Sequence, residues 1–293
     1  MNETWFESLL MGGQVKFPLM NSTTLQGDLR LSMIPDSEPY VRNIKLNRKE
    51  SIRRSRIYTP QSLWLADSIE LTGPSCHYLT RVLRLSVGDS ITVFNGDGRD
   101  YRGKIHTRER QRIVIRLFGH QTPANESPLN ITLVQGISRG ERMDYTLQKA
   151  TELGVCCIQP MISQRVEFHL DEARQAKRLA HWRGVVVSAC EQSGRAVLPG
   201  VNSPLSLDDW LACPDESLRL VFDPTAENRI STFSPLQRAV SIVVGPEGGF
   251  GHEELGLMLE NGVQRLSLGP RILRTETAAP AAIAILQAIA GDL

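Results

Sequence analysis

The sequence predicts an α/β protein in which a small β-barrel precedes a C-terminal domain built on a parallel sheet. After residue 120, apolar segments typical of buried strands alternate with segments whose apolar residues recur at helical spacing. Such alternation is typical of a parallel sheet covered on both faces. Between residues 54 and 120, short strand-like segments surround a glycine-containing turn, NGDG, which favours a small barrel.

Three regions are predicted along the chain. Residues 1–53 are polar and lack sustained periodicity, which predicts a poorly ordered N-terminal extension. Residues 54–120 form the predicted barrel, with one helix in which Leu79, Val82 and Leu83 lie at helical spacing. The polar segment HQTPANESP reads as a linker, and residues 125–293 form the parallel-sheet domain.

Five strands and four helices are predicted after the linker. The strands are NITLVQGI, CCIQPMI, LRLVFD, VSIVVG and VQRLSLG. The helices are RGERMDYTLQKATELG, DEARQAKRLAHWRGVVVSACEQSG, HEELGLMLENG and TAAPAAIAILQAIAG. In the first helix, Met143, Leu147 and Ala150 form an apolar stripe, and Gly154 provides the left-handed residue that ends it.

Composition favours a soluble cytoplasmic protein. No segment approaches the roughly 18–20 uninterrupted apolar residues of a membrane helix, so no membrane partner is expected. The N-terminus carries Glu3 and Glu7 and lacks the basic region of a signal peptide. The chain has 5 cysteines without CxxC spacing, which argues against a disulfide scaffold and a zinc site, so no metal is expected.

The charge is unevenly distributed, which indicates a nucleic-acid-facing barrel. Residues 53–116 contain 12 Lys and Arg against 6 Asp and Glu, whereas residues 117–293 contain 15 against 20. A solvated basic face without a partner explains the charge equally well. Basic and aromatic side chains together suit phosphate contacts and base stacking. The predicted RNA-binding residues are Arg54, Arg56, Tyr58, His77, Arg81 and Arg84.

Two glycine–proline segments follow neighbouring predicted strands and are expected to form one pocket. They are GPEGG (245–249) and SLGPRILRTETA (267–278), and ligands of parallel sheets bind at the carboxyl ends of the strands. Neither the Walker loop nor the dinucleotide fingerprint is present. Glu247 would repel phosphate but suits a cation, so S-adenosylmethionine, a sulfonium nucleoside, fits. An ordinary tight turn explains GPEGG alone, but not the pairing of the two segments.

A third segment, ACEQSGR (189–195), ends a predicted helix and brings Arg195 into a polar cluster. Taken alone, this segment is also explained as an ordinary helix C-terminus with polar side chains. Arg274 and Glu276 lie beside the second pocket segment, which favours a functional role over a surface ion pair.

Taken in order, these motifs resemble the 16S rRNA uridine-N3 methyltransferase family of the SPOUT, or trefoil-knot, methyltransferase superfamily. The resemblance covers residues 54–293. It rests on RIYTP, HYLTRVLRLSVGD, FNGDGRDY, LVQGISRGERMDYTLQKATELGV, EQSGR, VVGPEGGF and LSLGPRILRTETA.

The resemblance implies a fold, a site and partners. The barrel would be a PUA-like domain that holds 16S rRNA within the small ribosomal subunit. The C-terminal segment would form a knot. The helix over 277–290 would pack across the twofold axis of a homodimer. Arg195, Arg274 and Glu276 would order the uridine as catalytic residues. The S-adenosylmethionine pocket would be lined by Gly245, Pro246, Glu247, Gly248, Gly249, Leu268, Gly269, Leu273 and Thr275.

Three other functions remain open at this point. A related enzyme would methylate a ribose 2′-hydroxyl or another base. An RNA-binding or assembly factor without catalytic activity would not bind S-adenosylmethionine. A dinucleotide-dependent oxidoreductase is disfavoured because the GxGxxG fingerprint is absent.

Overall fold

The computed structural model describes residues 55–65, 67–165, 172–214, 216–230 and 238–293. The predicted extension 1–53 and the predicted RNA-binding residue Arg54 lie outside these ranges. Two sheets organise the described residues, one of five strands and one of seven.

The five-stranded sheet corresponds to the predicted barrel. Its strand order is β1-β3-β4-β5-β2, in which β1 pairs parallel with β3 and the other pairs are antiparallel. Ile113, Ile115 and Leu117 alternate with exposed residues along β5 and fill the interior. The strands are β1 (Arg56–Tyr58), β2 (Ser68–Thr72), β3 (Ser90–Phe94), β4 (Asp100–Arg108) and β5 (Arg112–Gln121).

The helix predicted within the barrel is short and changes type. An α-helix, α1, spans Gly73–His77, and a π-helical turn follows over Tyr78–Val82. The Leu83 amide accordingly donates to the Tyr78 carbonyl, five residues back. Because this turn is wider than an α-helical turn, Leu79 is buried but Val82 is 60% exposed. The predicted core position of Val82 is therefore wrong.

The seven-stranded sheet is parallel throughout, as predicted. Its order is β12-β10-β11-β6-β7-β8, and β9 pairs with β7. The strands are β6 (Asn130–Gly136), β7 (Cys157–Ile162), β8 (Gly200–Val201), β9 (Leu205–Ser206), β10 (Leu218–Phe222), β11 (Ala239–Val244) and β12 (Gln264–Leu266).

Helices cover both faces of this sheet, and the strands are apolar on both sides for that reason. Ile242 of β11 packs in the cluster that contains Leu147 and Ile283, whereas its neighbour Val243 packs with Trp210 and Met258. None of the helices in the described ranges has the length and apolarity needed to cross a membrane. The helices are α2 (Glu141–Glu152), α3 (Glu172–Ser193), α4 (Leu207–Ala212), α5 (His252–Glu260) and α6 (Thr275–Ala290).

Helix α4 and the short strands β8 and β9 were not predicted. A local signal for α4 exists, because the Ser206 hydroxyl accepts a hydrogen bond of 3.0 Å from the Asp209 amide and caps the helix. The two-residue strands are too short to produce a periodic pattern.

Candidate functional site

The loops that follow β11 and β12 enclose one cavity of about 640 Å³. Apolar residues, among them Phe222, Phe250 and Leu268, line the cavity together with charged residues. Its volume is typical of a small-molecule site. The predicted residues that line it are Gly245, Pro246, Glu247, Gly248, Gly249, Leu268, Leu273, Arg274, Thr275 and Glu276. Gly269 does not line it and has a φ of 120°, so its role in this structure is to shape the second loop.

A chain of buried hydrogen bonds joins the two loops. The Thr275 hydroxyl donates to the Gly245 carbonyl over 2.6 Å, and the Gln135 side-chain amide donates to the Thr275 hydroxyl over 2.9 Å. Gln135 and Thr275 are 0% and 6% exposed. The end of β6, the loop after β11 and the start of α6 are thus held together at the cavity, which fixes its shape before any ligand binds.

Close backbone approach explains two of the glycines. A Cβ atom on Gly136 would lie 2.5 Å from Cδ of Pro246, so only glycine allows the loop after β11 to rest on β6. Gly249 has a φ of 65° and donates its amide to the Pro246 carbonyl over 2.9 Å, which closes a tight turn.

Glu247 is ionised and held at the cavity wall. Its Oε1 accepts hydrogen bonds from the Arg139 amide at 3.0 Å and from the Arg142 guanidinium at 2.9 Å. Burial by itself would raise the pKa of Glu247, but these hydrogen bonds and the Arg142 charge lower it below its ordinary value. Arg142 was not predicted as a site residue, and nothing local in the sequence marks it.

Arg274 and Glu276 form the part of the wall best suited to chemistry. Oε2 of Glu276 is buried and has no hydrogen-bond partner among the described residues, and Oε1 lies 3.9 Å from Nε of Arg142. Arg274 is exposed and immediately precedes α6. Glu276 and Arg274 therefore both line the cavity, the first as a carboxylate with one buried, unpartnered oxygen and the second as an exposed cation.

Arg195 does not belong to this cavity, and its predicted catalytic role is corrected here. Its buried guanidinium forms an ion pair of 2.6 Å with Glu126 and donates to the carbonyls of Thr151 and Val155, both at 2.9 Å. These contacts tie the segment after α3 to the linker and to the end of α2. With its donors used in this way, Arg195 supports the domain and does not line the cavity.

Two residues predicted to bind RNA, Arg56 and Tyr58, are partly buried and make contacts within the protein. The Arg56 guanidinium pairs with Asp100 at 2.5 Å, donates to the Arg195 carbonyl and lies 4.7 Å from the centroid of the Phe94 ring. Burial raises the pKa of Asp100, although the Arg56 charge opposes this shift. The Tyr58 ring packs 5.7 Å from Phe94. These side chains join the barrel to the parallel-sheet domain, a structural role that was not predicted.

The other three predicted RNA-binding residues, His77, Arg81 and Arg84, are exposed. They do not share a regular helix face, since Arg84 follows the π-helical turn with a φ of 53°. Their exposure leaves them available to a partner.

Comparison with known proteins gives two matches to protein families. The RNA methyltransferase domain model matches residues 125–287, and the RNA methyltransferase PUA domain model matches residues 71–118. The chain is also 35% identical over 242 residues to ribosomal RNA small subunit methyltransferase E of Buchnera aphidicola (subspecies Schizaphis graminum). That alignment covers 82% of this chain and 98% of the relative.

Solved structures are similar across the same region. A methyltransferase from Legionella pneumophila in complex with the cofactor S-adenosylmethionine is 38% identical, with a TM-score of 0.78. Ribosomal RNA small subunit methyltransferase E from Neisseria gonorrhoeae, also bound to S-adenosylmethionine, is 40% identical, with a TM-score of 0.76. Each comparison covers 82% of this chain and 99% of the other.

Proposed function

This chain belongs to the ribosomal RNA small subunit methyltransferase E family of RNA methyltransferases, and from that premise we propose how its cavity methylates N3 of a uridine in 16S rRNA. Family membership confirms the predicted fold class, a trefoil-knot α/β domain preceded by a PUA-like barrel. It also confirms the predicted enzyme class and S-adenosylmethionine as the methyl donor.

The cavity shared by the two loops is the observation that carries the proposed donor site. Glycine at 245 lets the loop after β11 fold tightly beside the cavity, because a Cβ there would lie 3.3 Å from Cα of Gly249. The apolar side chains of Leu268 and Leu273 would contact the adenosine, and Thr275 holds the loops in place. When bound, S-adenosylmethionine supplies a methyl group activated by a sulfonium.

In this proposal Glu276 and Arg274 act on different atoms of the uracil. Uridine N3 carries a proton at neutral pH, and that proton must leave for N3 to act as a nucleophile. Glu276 lines the cavity, and in this proposal its carboxylate, which has one oxygen without a hydrogen-bond partner among the described residues, accepts the proton. The exposed guanidinium of Arg274 donates to the uracil oxygen on which negative charge develops.

The same proposal covers the domains and the barrel surface. We assign 54–120 to RNA binding and 125–293 to methyl transfer, with His77, Arg81 and Arg84 as the barrel residues that contact rRNA. Their exposure and the excess of basic residues in the segment support this role. Since N3 is hidden in a base pair, the target uridine is expected to be unpaired or splayed out.

A homodimer that acts on the small ribosomal subunit in the cytoplasm completes the proposal. The support comes from α2 and α6, which pack together and leave Tyr145 and Ile289 exposed by 49% and 41%. Exposed apolar side chains on adjacent helices suit a twofold contact. Light scattering of the full chain in solution measures its mass, and a monomer at micromolar concentration would contradict the dimer.

Nucleoside mass spectrometry tests the reaction itself. Purified protein and labelled S-adenosylmethionine are incubated with 16S rRNA that lacks the mark, supplied in parallel reactions as free rRNA and as small-subunit particles. Both reactions should yield 3-methyluridine. Label in a 2′-O-methyl nucleoside or in another base would assign a different reaction. Failure to bind S-adenosylmethionine in calorimetry would support an RNA-binding factor without catalytic activity.

A further inference from the structure

A second cavity, of about 430 Å³, lies on the other side of the loop after β11. It shares Pro246, Glu247 and Gly248 with the first cavity. Four arginines line it, and Glu247 is the one carboxylate among its described lining residues. These arginines, which we call the arginine cluster, are Arg139, Arg142, Arg165 and Arg178.

Like charges gathered around one cavity repel each other, so the arginine cluster favours an anion. Arg142 is bound to Glu247, and Arg165 donates to the Gly248 carbonyl, which fixes both side chains against the loop. The Arg139 guanidinium has no ion-pair partner among the described residues and is exposed. Guanidinium groups match phosphate oxygens in geometry and make strong charge-assisted hydrogen bonds with them.

The start of α2 adds backbone donors to the same cavity. Gly140, which lines the cavity, precedes α2, and no side chain caps the first amides of this 12-residue helix. Helix N-termini favour anions, although the acidic Glu141 and Asp144 in the first turn offset part of this effect. Oδ2 of Asp144 lies 2.8 Å from Nε2 of His181, so this carboxylate is held against α3.

We propose that the arginine cluster is a phosphate-binding subsite that holds the RNA backbone next to the target uridine. This inference rests on the proposed function, since it places the strand beside the donor loop. The subsite and the donor cavity share one wall, so a phosphate bound here belongs to a nucleotide close to the reacting one. Phosphate contacts position a strand without reading its sequence.

Arg139→Ala and Arg165→Ala test the subsite in the full-length protein. Each should weaken binding of an unmodified 16S rRNA transcript roughly tenfold, as expected for a lost hydrogen bond to a charged group. Each should also reduce the slope of log K against log salt by about 0.7, the value for one phosphate contact on a single strand. In Arg139→Ala, whose side chain makes no contact with the donor loop among the described residues, S-adenosylmethionine affinity measured by calorimetry should stay at the wild-type value.

Lys177→Ala is the matched control, because this exposed lysine precedes Arg178 on α3 but does not line the cavity. It removes one positive charge and should leave RNA affinity unchanged. Arg139→Lys and Arg165→Lys retain the charge and should restore most of the affinity. Equal melting temperatures establish that the variants are folded.

Wild-type RNA affinity and salt slope in both alanine variants would overturn the proposal, as would an equal loss in the lysine control. A free-anion site would bind inorganic phosphate as tightly as RNA, and that result would also overturn it. Failure of the proposed function has a different signature, namely no methyl transfer by the wild type. A selective loss of RNA affinity in the cluster variants would still support the subsite in that case.

Discussion

The Thr275 hydroxyl donates a 2.6 Å hydrogen bond to the Gly245 carbonyl, and this bond couples the two loops of the donor cavity across 30 positions of sequence. Gln135 completes the connection from β6 by donating to the same hydroxyl. The shape of the cavity therefore depends on a buried polar chain whose members are far apart in the sequence.

Thr275→Val should damage both stability and donor binding. Valine keeps the shape but removes the donor to the Gly245 carbonyl and one of the two acceptors of the Gln135 side-chain amide, at a cost of about 1–3 kcal/mol in the free energy of unfolding. Urea denaturation measures this cost, and calorimetry measures the lower S-adenosylmethionine affinity. Thr277→Val, at an exposed position of the same helix, should change neither. Equal behaviour of the two variants would remove the coupling role of Thr275.

Gly136→Ala should displace the loop after β11. The added Cβ would lie 2.5 Å from the Pro246 ring, and relief of this overlap costs about 1–3 kcal/mol of stability. Donor affinity should fall with it. Gly184→Ala is the control, because no atom lies within 4 Å of its added Cβ, and alanine at this helical site should stabilise by about 0.5–1 kcal/mol. Wild-type donor affinity in Gly136→Ala would show that the close approach of Pro246 to Gly136 is not required for donor binding.

Arg195→Ala and Arg274→Ala should have opposite effects. Loss of Arg195 removes the ion-pair partner of Glu126 and a donor to the carbonyls of Thr151 and Val155, and should cost about 3 kcal/mol of stability, with donor affinity of the folded protein retained. Loss of Arg274 should leave stability within about 0.5 kcal/mol of the wild type, as for an exposed side chain, and should abolish most methyl transfer. Denaturation and single-turnover assays separate the two, and a stable but inactive Arg195 variant would restore that residue to the catalytic site.

The Glu247 contacts predict a stability that depends on pH. The folded pKa of this carboxyl is lowered from its ordinary value of 4.5, so the stability that it contributes is present above pH 4.5. That contribution is lost as the pH falls through the folded pKa. Glu247→Gln should therefore be less stable than the wild type at pH 7, and the two should converge below pH 4.5 in urea titrations. Glu253→Gln, at an exposed position, is the control, and a difference between Glu247→Gln and wild type that is independent of pH would contradict the ionic origin.

Local sequence patterns were sufficient for most of the elements and for the two pocket loops. The apolar segments of β6, β10 and β11 and the stripe of Met143, Leu147 and Ala150 have short periods that a single segment reveals. The loops after β11 and β12 could be expected to meet, because strand ends in a parallel sheet share one edge. The π-helical turn in the barrel was missed because it differs from an α-helix by one residue in its hydrogen bonding.

By itself, the sequence determined the alternation of strands and helices, the order of the family motifs and the two loops that line the donor cavity. Only the tertiary structure decided which charged residues reach that cavity. Arg142 meets Glu247 across 105 positions, and Arg195 meets Glu126 across 69, so neither pairing leaves a local pattern. A guanidinium is either a buried support or a ligand contact according to the acceptors that the fold brings to it, and long-range packing places those acceptors.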